Sequence, residues 1–257
     1  MKSVRNILKS HPVIHALGKE FKSSVQRVGD TVKHGNLKRQ RQRVIATYLA
    51  RHRERKLHIG CGPMILEDWI NSDFVPRTRE VIFLDITERL PFPDASLDFI
   101  YSEHLIEHVS LAAGIGHFKD CLRVLKPGGV IRVATPDLKF LLDYFSGKPL
   151  TNVQRGFLTE MMNEFHPDLA RSEVMSGSAA ILLNEFVRDW GHMFIYDRDT
   201  LGEALRLAGF AKVKSCEVKE SEHASLRDLE QHGTAISDDY NRLQTMVLEA
   251  TRGLSPL

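Results

Sequence analysis

The chain has 257 residues, of which 42% are hydrophobic and 26% are charged, and its formal net charge is +2. This composition excludes a disordered chain, because the apolar fraction is high and the net charge is low. Three cysteines are too few for a disulfide-stabilised scaffold, and no apolar run approaches the roughly 18 residues of a membrane span. We therefore expect a globular, cytoplasmic protein with a sizeable core.

Basic side chains are concentrated near the N-terminus. Residues 1–56 contain 15 Lys and Arg but three acids, whereas the remainder contains 20 basic and 30 acidic side chains. We predict a basic helical arm over residues 1–50 and a main domain over 51–257. The arm either packs on the acidic body of its own chain or contacts an anionic membrane surface. Too few aromatic residues interrupt it for a nucleic-acid interface.

Short apolar segments alternate with helical patterns in the main domain. Apolar residues at helical spacing predict a helix over 40–55. The spacing then changes, and the apolar runs predict strands over 56–63, 69–74, 81–87, 97–102 and 130–136. A helical stretch over 103–125 separates the last two strands and ends at the Lys-Pro-Gly-Gly sequence.

The C-terminal half continues with weaker signals. A helix is predicted over 137–145, and residues 146–198 have no regular pattern. Residues 199–210 form an amphipathic helix, with Asp199 as its N-cap and Gly209 at its end. The last strands are predicted over 211–218 and 245–252. The whole pattern predicts an α/β fold with a mostly parallel sheet, in which ligands bind beyond the carboxyl ends of the strands.

The first strand ends in a glycine turn, Gly60-Cys61-Gly62. A dinucleotide fingerprint would need a third glycine at position 65, which is isoleucine, and an acid about 20 residues on. The nearest acid at a strand end is Asp73, only eleven residues after Gly62. Asp73 and Asp85 follow two successive strands, where a carboxylate can accept hydrogen bonds from a ribose or an exocyclic amine. These features favour a nucleoside pocket.

The ordered motifs resemble those of class I S-adenosylmethionine (SAM)-dependent methyltransferases. The resemblance covers about residues 56–138 and extends to 210 through the segments LHIGCGP, NSDF, FLDITERLPFPDASLDFIYSEHLIEHV, CLRVLKPGGVIRVATPDL and HMFIYDRDTLGEALRLAGF. It implies a Rossmann-like fold with seven strands and helices on both faces. It also implies SAM as cofactor, S-adenosylhomocysteine as product, and a cofactor site formed by His58, Gly60, Cys61, Gly62, Asp73, Asp85, Ile86, Ser102, Glu103 and His104.

One difference from the usual motif spacing of this family indicates a particular branch of it. Only Met64 to Asp68 separate the glycine turn from the second strand, so the usual helix between them is nearly missing. The chain is similar in this to a branch of the family found with surface-polysaccharide and glycan biosynthesis. That branch implies O-methylation of a hydroxyl on a sugar or glycan precursor.

Histidines near the predicted methyl end of the cofactor are the candidate catalytic groups. A sugar hydroxyl is a poor nucleophile, so a base that removes its proton is useful, and histidine suits this role near neutral pH. We expect His108 or His192 to be the base, with His104 beside them and Asp137 orienting the acceptor. The predicted insert over 138–198 and the C-terminal region 199–257 would form the acceptor site, with Asn184, Trp190 and Tyr196 as binding residues.

Other interpretations stay open at this point. Glu103, His104, Glu107 and His108 lie at helical spacing and include residue types that bind divalent metals, but the surrounding motifs already account for them and no metal is predicted. A lipid, quinone or polyketide is the alternative acceptor, and a more apolar acceptor pocket would favour it. The chain would otherwise be a SAM-binding interaction module without turnover.

Flotation with anionic liposomes distinguishes the two interpretations of the basic arm. If the arm binds lipid, the full chain floats, and deletion of residues 1–40 removes the signal. If the arm packs on its own body, both forms stay with the unbound fraction.

Overall fold

The computed structural model describes residues 35–172, 174–231 and 236–254, so residues 1–34 of the predicted arm lie outside the described residues. Helix α1 covers residues 35–51. It packs on the main domain, because Ile45 and Tyr48 are buried in the main core. In addition, Arg41 Nη1 donates a hydrogen bond to the Phe83 carbonyl at 3.0 Å. The described part of the arm is therefore attached to the body of the chain.

A seven-stranded sheet confirms the predicted α/β fold. Its strands are β1 Lys56–Ile59, β2 Ile70–Asp73, β3 Val81–Phe83, β4 Leu97–Glu103, β5 Leu125–Pro136, β6 Lys212–Cys216 and β7 Thr245–Thr251. Their order is β3-β2-β1-β4-β5-β7-β6. The first five are parallel, whereas β7 runs antiparallel to both β5 and β6. The carboxyl ends of β1 to β5 therefore meet at one edge of the sheet, where ligands bind in such folds.

Helices cover the sheet and extend beyond its carboxyl edge. They are α2 Leu111–Val124, α3 Leu138–Asp143, α4 Asn152–Phe165, α5 Ala179–Arg188, α6 Arg198–Leu207 and α7 Asp238–Gln244. The main core joins α1, α2 and α6 to the sheet, and a second core joins α3, α4 and α5. On the sheet, Tyr101 and Trp69 pack with Leu226 and Leu229. Within the described residues, no helix is both long and apolar enough to cross a bilayer.

Several predicted boundaries were wrong: β1 ends at Ile59, and β5 begins at Leu125, so the Lys-Pro-Gly-Gly sequence lies inside a strand. Two further differences have a local reason. The helix predicted over 103–125 begins only at Leu111, where the Ser110 side chain accepts a hydrogen bond from the Ala113 N–H. Glu103 instead ends β4, and His104 has a left-handed backbone with φ +46°, a conformation that breaks a right-handed helix. The N-cap of α6 is Asp197 rather than Asp199, since Asp197 Oδ1 accepts from the Thr200 N–H at 2.7 Å.

Residues 146–198 were predicted to have no regular structure, but they contain two helices. Helix α4 begins at a reciprocal capping box, in which Thr151 and Gln154 each bond the other's backbone N–H. This pattern of Thr followed three residues later by Gln was readable in the sequence. Helix α5 buries Leu182 and Phe186 against α3 and α4. The predicted acceptor insert is therefore a helical layer.

A buried charge cluster attaches the C-terminal region to the sheet. Arg132 on β5 is fully buried, and its Nε lies 2.6 Å from Glu230 Oε1. Its Nη1 lies 2.6 Å from Glu249 Oε1 on the neighbouring strand β7. Burial alone would lower the pKa of Arg132, but the two carboxylates raise it above its ordinary value. Arg132 therefore stays charged and forms ion pairs with two buried carboxylates.

Removing this guanidinium should be costly. We expect Arg132→Met to lower the free energy of unfolding by about 3–5 kcal/mol, because it leaves two carboxylates buried without their cation. Urea unfolding measures the loss. The matched control Arg206→Met breaks an exposed pair with Glu203 and should change stability by less than about 0.5 kcal/mol. Equal losses for the two variants would contradict this account.

Candidate active site

The glycine turn after β1 has the conformation of a ligand-binding loop. Gly60 and Gly62 have φ of +70° and +51°, a region that side chains disfavour. A Cβ on Gly60 would lie 3.0 Å from Leu105 Cδ1, whereas a Cβ on Gly62 would meet open space. The Gly62 N–H donates to Asp73 Oδ2 at 2.9 Å. This bond ties the turn to the acid at the end of β2.

The acids after β2 and β3 are held by local backbone bonds. Asp73 Oδ1 accepts from the Val75 N–H at 2.7 Å, and Asp85 Oδ1 accepts from the Thr87 N–H at 2.9 Å. Each carboxylate oxygen still has acceptor capacity for a hydroxyl or amine. Ile86, next to Asp85, is buried. The residues present thus fit a nucleoside that bridges the ends of the two strands.

Two of the predicted cofactor residues face protein rather than open space. His58 is buried, its Nδ1 lies 3.2 Å from Asn71 Oδ1, and its ring packs 5.0 Å from that of Tyr101. Burial lowers the pKa of His58 to about 4, so the ring is neutral. Cys61 is also buried, and burial raises the pKa of its thiol to about 12. Any contact of Cys61 with a ligand is therefore through its backbone.

The residues that end β4 lead from this loop towards the histidines. Ser102 is buried and lies opposite Ile59 of β1 in the sheet. Glu103 is the last residue of the strand. The His104 N–H then donates to the Ala134 carbonyl of β5 at 3.0 Å. The chain thus turns at His104 above the carboxyl edge of the sheet.

Three histidines from two distant segments meet at this edge, and we call His104, His108 and His192 the imidazole cluster. The Glu107 carbonyl accepts hydrogen bonds from the Met193 N–H at 2.7 Å and the Phe194 N–H at 3.1 Å. These bonds join the segment after β4 to the segment before α6. As a result the ring centroids of His108 and His192 lie 4.9 Å apart.

Glu107 is the buried carboxylate of the cluster. Its Oε1 lies 3.2 Å from His104 Nδ1, and its Oε2 accepts from the Thr135 hydroxyl at 2.9 Å. Burial favours the neutral acid, but the interactions with His104 and His108 outweigh it and lower the pKa of Glu107. Our list of predicted site residues omitted Glu107. Its place between two histidines in HLIEH was the available signal.

His192 has one imidazole nitrogen available. Its Nδ1 lies 2.6 Å from the Phe186 carbonyl oxygen, which can only accept, so Nδ1 carries the proton. Burial lowers the pKa of His192. The neutral ring therefore keeps its lone pair on Nε2.

The imidazole cluster lines a cavity of about 420 Å³. Aromatic side chains form much of its wall, and we call the set Phe157, Phe165, Phe186, Trp190 and Tyr240 the ring wall. Glu160, Met161 and Glu164 of α4 and Gln244 of α7 also line it. Sequence analysis missed the α4 and α7 residues, because the helical layer over 146–198 was not predicted and its packing against α7 depends on the tertiary fold.

Of the residues predicted to bind or orient the acceptor, the structure places one on the cavity wall and the others elsewhere. Trp190 lines the cavity and is 42% exposed. Tyr196 was predicted to bind the acceptor, but it is fully buried in the main core and has no face for a ligand. Asn184 lies on the exposed side of α5, and its Nδ2 donates to the Ala180 carbonyl of the same helix. Asp137 caps α3 and lies 3.7 Å from Arg198 Nη2. These contacts give Asp137 a structural role.

Comparison with known proteins finds similar sequences for part of the chain. A family model described as "Methyltransferase domain" (Methyltransf_11) matches residues 71–133. The chain is 35% identical over 136 residues to a demethylmenaquinone methyltransferase of Clavibacter sepedonicus, a match that covers 52% of this chain and 48% of that protein. It is 46% identical over 48 residues to a probable SAM-dependent methyltransferase of Mycolicibacterium smegmatis, covering 19% of this chain and 18% of that protein.

A structure search also finds similar solved structures. A SAM-dependent methyltransferase from Archaeoglobus fulgidus superposes with a TM-score of 0.46 and 18% identity, covering 86% of this chain and 94% of that one. The family match covers residues 71–133, so this segment of the chain is similar to a methyltransferase domain. The matched segment runs from β2 into β5, and the chain spans about half the length of its Clavibacter relative.

The cofactor loop can be tested directly. We expect the full chain to bind S-adenosylhomocysteine with micromolar affinity, and Asp73→Ala to abolish binding, because it removes the ribose acceptor and releases the Gly62 N–H. Calorimetric titration measures both. Asp199→Ala, an exposed acid on α6, should bind like the unmodified chain. Undiminished binding by Asp73→Ala would place the cofactor elsewhere.

Proposed function

We propose that this chain transfers a methyl group from SAM to a small molecule whose aromatic or other apolar body lies in the cavity. The observation that carries the proposal is the meeting of the imidazole cluster and the ring wall in one cavity. Its volume is within the roughly 300–1,000 Å³ range of small-molecule sites, which are largely apolar with a few polar groups.

The cofactor would occupy the edge formed by the ends of β1, β2 and β3. Its methyl group is carried on a positively charged sulfur, which makes that carbon electrophilic. Backbone groups of Gly60 and Gly62 would face its amino-acid part. Asp73 would accept the ribose hydroxyls, and Asp85 with Ile86 would contact the adenine. Ser102, Glu103 and His104 would flank the methionine part.

His192 would accept the proton of an acceptor hydroxyl. Its neutral state, its fixed tautomer and its place on the cavity wall support this role. His108 lies beside it and would hydrogen-bond the same oxygen. His104, held by Glu107, would supply a fixed polar edge rather than the base. Alignment of the oxygen with the methyl carbon supplies much of the catalysis in such a displacement.

The ring wall favours an apolar acceptor over the sugar that the sequence suggested first. Five aromatic rings line the cavity, and a flat acceptor would stack on or edge against them. The name of the Clavibacter relative, a demethylmenaquinone methyltransferase, agrees with an acceptor of this shape.

A hydroxyl of a sugar or glycan precursor is the second candidate acceptor. Trp190 is partly exposed at the cavity and could stack on a sugar face. Glu160 and Glu164 could accept hydrogen bonds from sugar hydroxyls. This acceptor would be recognised at the exposed rim of the cavity rather than along its ring wall.

A panel of acceptors tests the proposal. Release of S-adenosylhomocysteine is measured with phenols, quinols and free or nucleotide-linked sugars, with and without Mg²⁺. We expect turnover with aromatic hydroxyl compounds and little with sugars. Turnover with sugars alone would favour the second candidate, and S-adenosylhomocysteine binding without turnover on any acceptor would favour a non-catalytic module.

The proposal that His192 is the base predicts a specific pH dependence of the rate. Because the base must be neutral, the rate should fall as the pH drops through the pKa of His192, which lies below the ordinary histidine value of 6.5. We expect His192→Ala to lower kcat by about 10²–10⁴-fold and to remove this dependence. His52→Ala, on α1's C-terminal side away from the cavity, is the control. A His192→Ala variant with full turnover would refute the assignment.

A further inference from the structure

The fixed charge of the cavity wall is negative. Apart from the imidazole cluster, the charged side chains among the described lining residues are Glu160 and Glu164, and no described Lys or Arg lines the cavity. Both side chains are exposed. Glu160 hydrogen-bonds the Tyr240 side chain, and among the described residues neither carboxylate forms an ion pair with a basic side chain. A neutral acceptor would leave both acids without a counter-charge.

These two acids occupy unfavourable positions for helix stability. They lie four residues apart in the last two turns of α4, which contain no basic residue. Like charges at this spacing repel each other, and the carbonyl end of a helix already carries partial negative charge. Arg155, the basic residue of α4, bonds Asn152 instead of these acids, and the His166 ring after the helix contacts Glu185. A cation from outside the chain would relieve this repulsion.

Aromatic rings stand beside the same acids. Trp190 packs 5.4 Å from Phe165, the residue that follows Glu164, and 5.2 Å from Phe186. Tyr240 packs 5.4 Å from Phe157, and burial together with the charge of Glu160 raises its pKa. The faces of such rings attract cations, and ammonium groups are often bound by aromatic rings together with carboxylates.

We propose that the acceptor carries a cationic nitrogen, an ammonium-type group, which binds beside Glu160, Glu164 and the ring wall. The rest of its apolar body would extend to the imidazole cluster, where the methyl group is received. This inference rests on the proposed function and narrows its acceptor to a cationic amphiphile. An uncharged quinone would contact the aromatic rings but leave the carboxylates unused. A sugar would bind the carboxylates but make little use of the ring wall.

A pair of probes of equal shape isolates the effect of charge. Phenyltrimethylammonium and tert-butylbenzene differ only in the charged nitrogen, and their binding to the full chain saturated with S-adenosylhomocysteine is measured by ligand-observed NMR. We expect the cation to bind at least about tenfold more tightly, and this preference to shrink as salt is added.

Three variants assign the selectivity to the named groups. The double variant Glu160→Gln/Glu164→Gln should lose about tenfold in affinity for the cation and none for tert-butylbenzene. Trp190→Leu should also lower the affinity for the cation. Glu67→Gln, an exposed acid outside the cavity lining, is the control. The double variant removes a repulsion within α4, so it should fold at least as well as the unmodified chain.

Two results would overturn the inference: equal affinity for the two probes, or cation binding that is unchanged in the double variant. The titration with S-adenosylhomocysteine on the same samples distinguishes failure of the cationic-acceptor proposal from failure of the proposed function. Intact cofactor binding without cation selectivity refutes the cationic acceptor alone. Absence of cofactor binding in the unmodified chain refutes the proposed function.

Discussion

The candidate site depends on Glu107, a carboxylate buried directly beyond the sheet. Its charge is stabilised by His104 and the Thr135 hydroxyl, and its carbonyl binds the N–H groups of Met193 and Phe194. Through these bonds two segments more than 80 residues apart are held together, and the histidines on each become neighbours. A buried ionised carboxylate is tolerated only when such partners surround it. The imidazole cluster thus depends on two groups of one residue: the buried carboxylate holds His104, and the backbone carbonyl brings the His192 segment beside His108.

Two parts of the structure meet at this point and have different physical character. The edge formed by β1, β2 and β3 offers backbone turns and short acids, which suit a polar cofactor. The helical layer of α4, α5 and α7 offers aromatic rings and the exposed carboxylates of Glu160 and Glu164. The first part is built from residues close in sequence, with Gly62 bonded to Asp73. The second brings together helices whose contact requires the whole fold. Catalysis would occur where the two parts share a wall at the imidazole cluster.

Sequence patterns predicted the sheet better than the layer beyond it. Buried parallel strands read as short apolar runs between turns, so β1 to β5 and the acids at their ends were placed near their observed positions. The sequence pattern of residues 146–198 does not predict their helices, because α4 mixes polar and apolar residues and α5 is short. The prediction that Tyr196 contacts a ligand was wrong, because aromatic residues near a motif look alike in sequence, whether they pack in a core or face a cavity.

The sequence by itself determined the α/β class, the glycine turn and the acids at Asp73 and Asp85, because these signals depend on residues close together along the chain. Only the tertiary structure decided that His108 and His192 are neighbours, that Glu107 supports them, and that aromatic rings and two acids of α4 complete the cavity. The physical reason is that those contacts join elements distant in sequence. Packing and the satisfaction of buried charges, rather than local conformational preference, determine which of them meet.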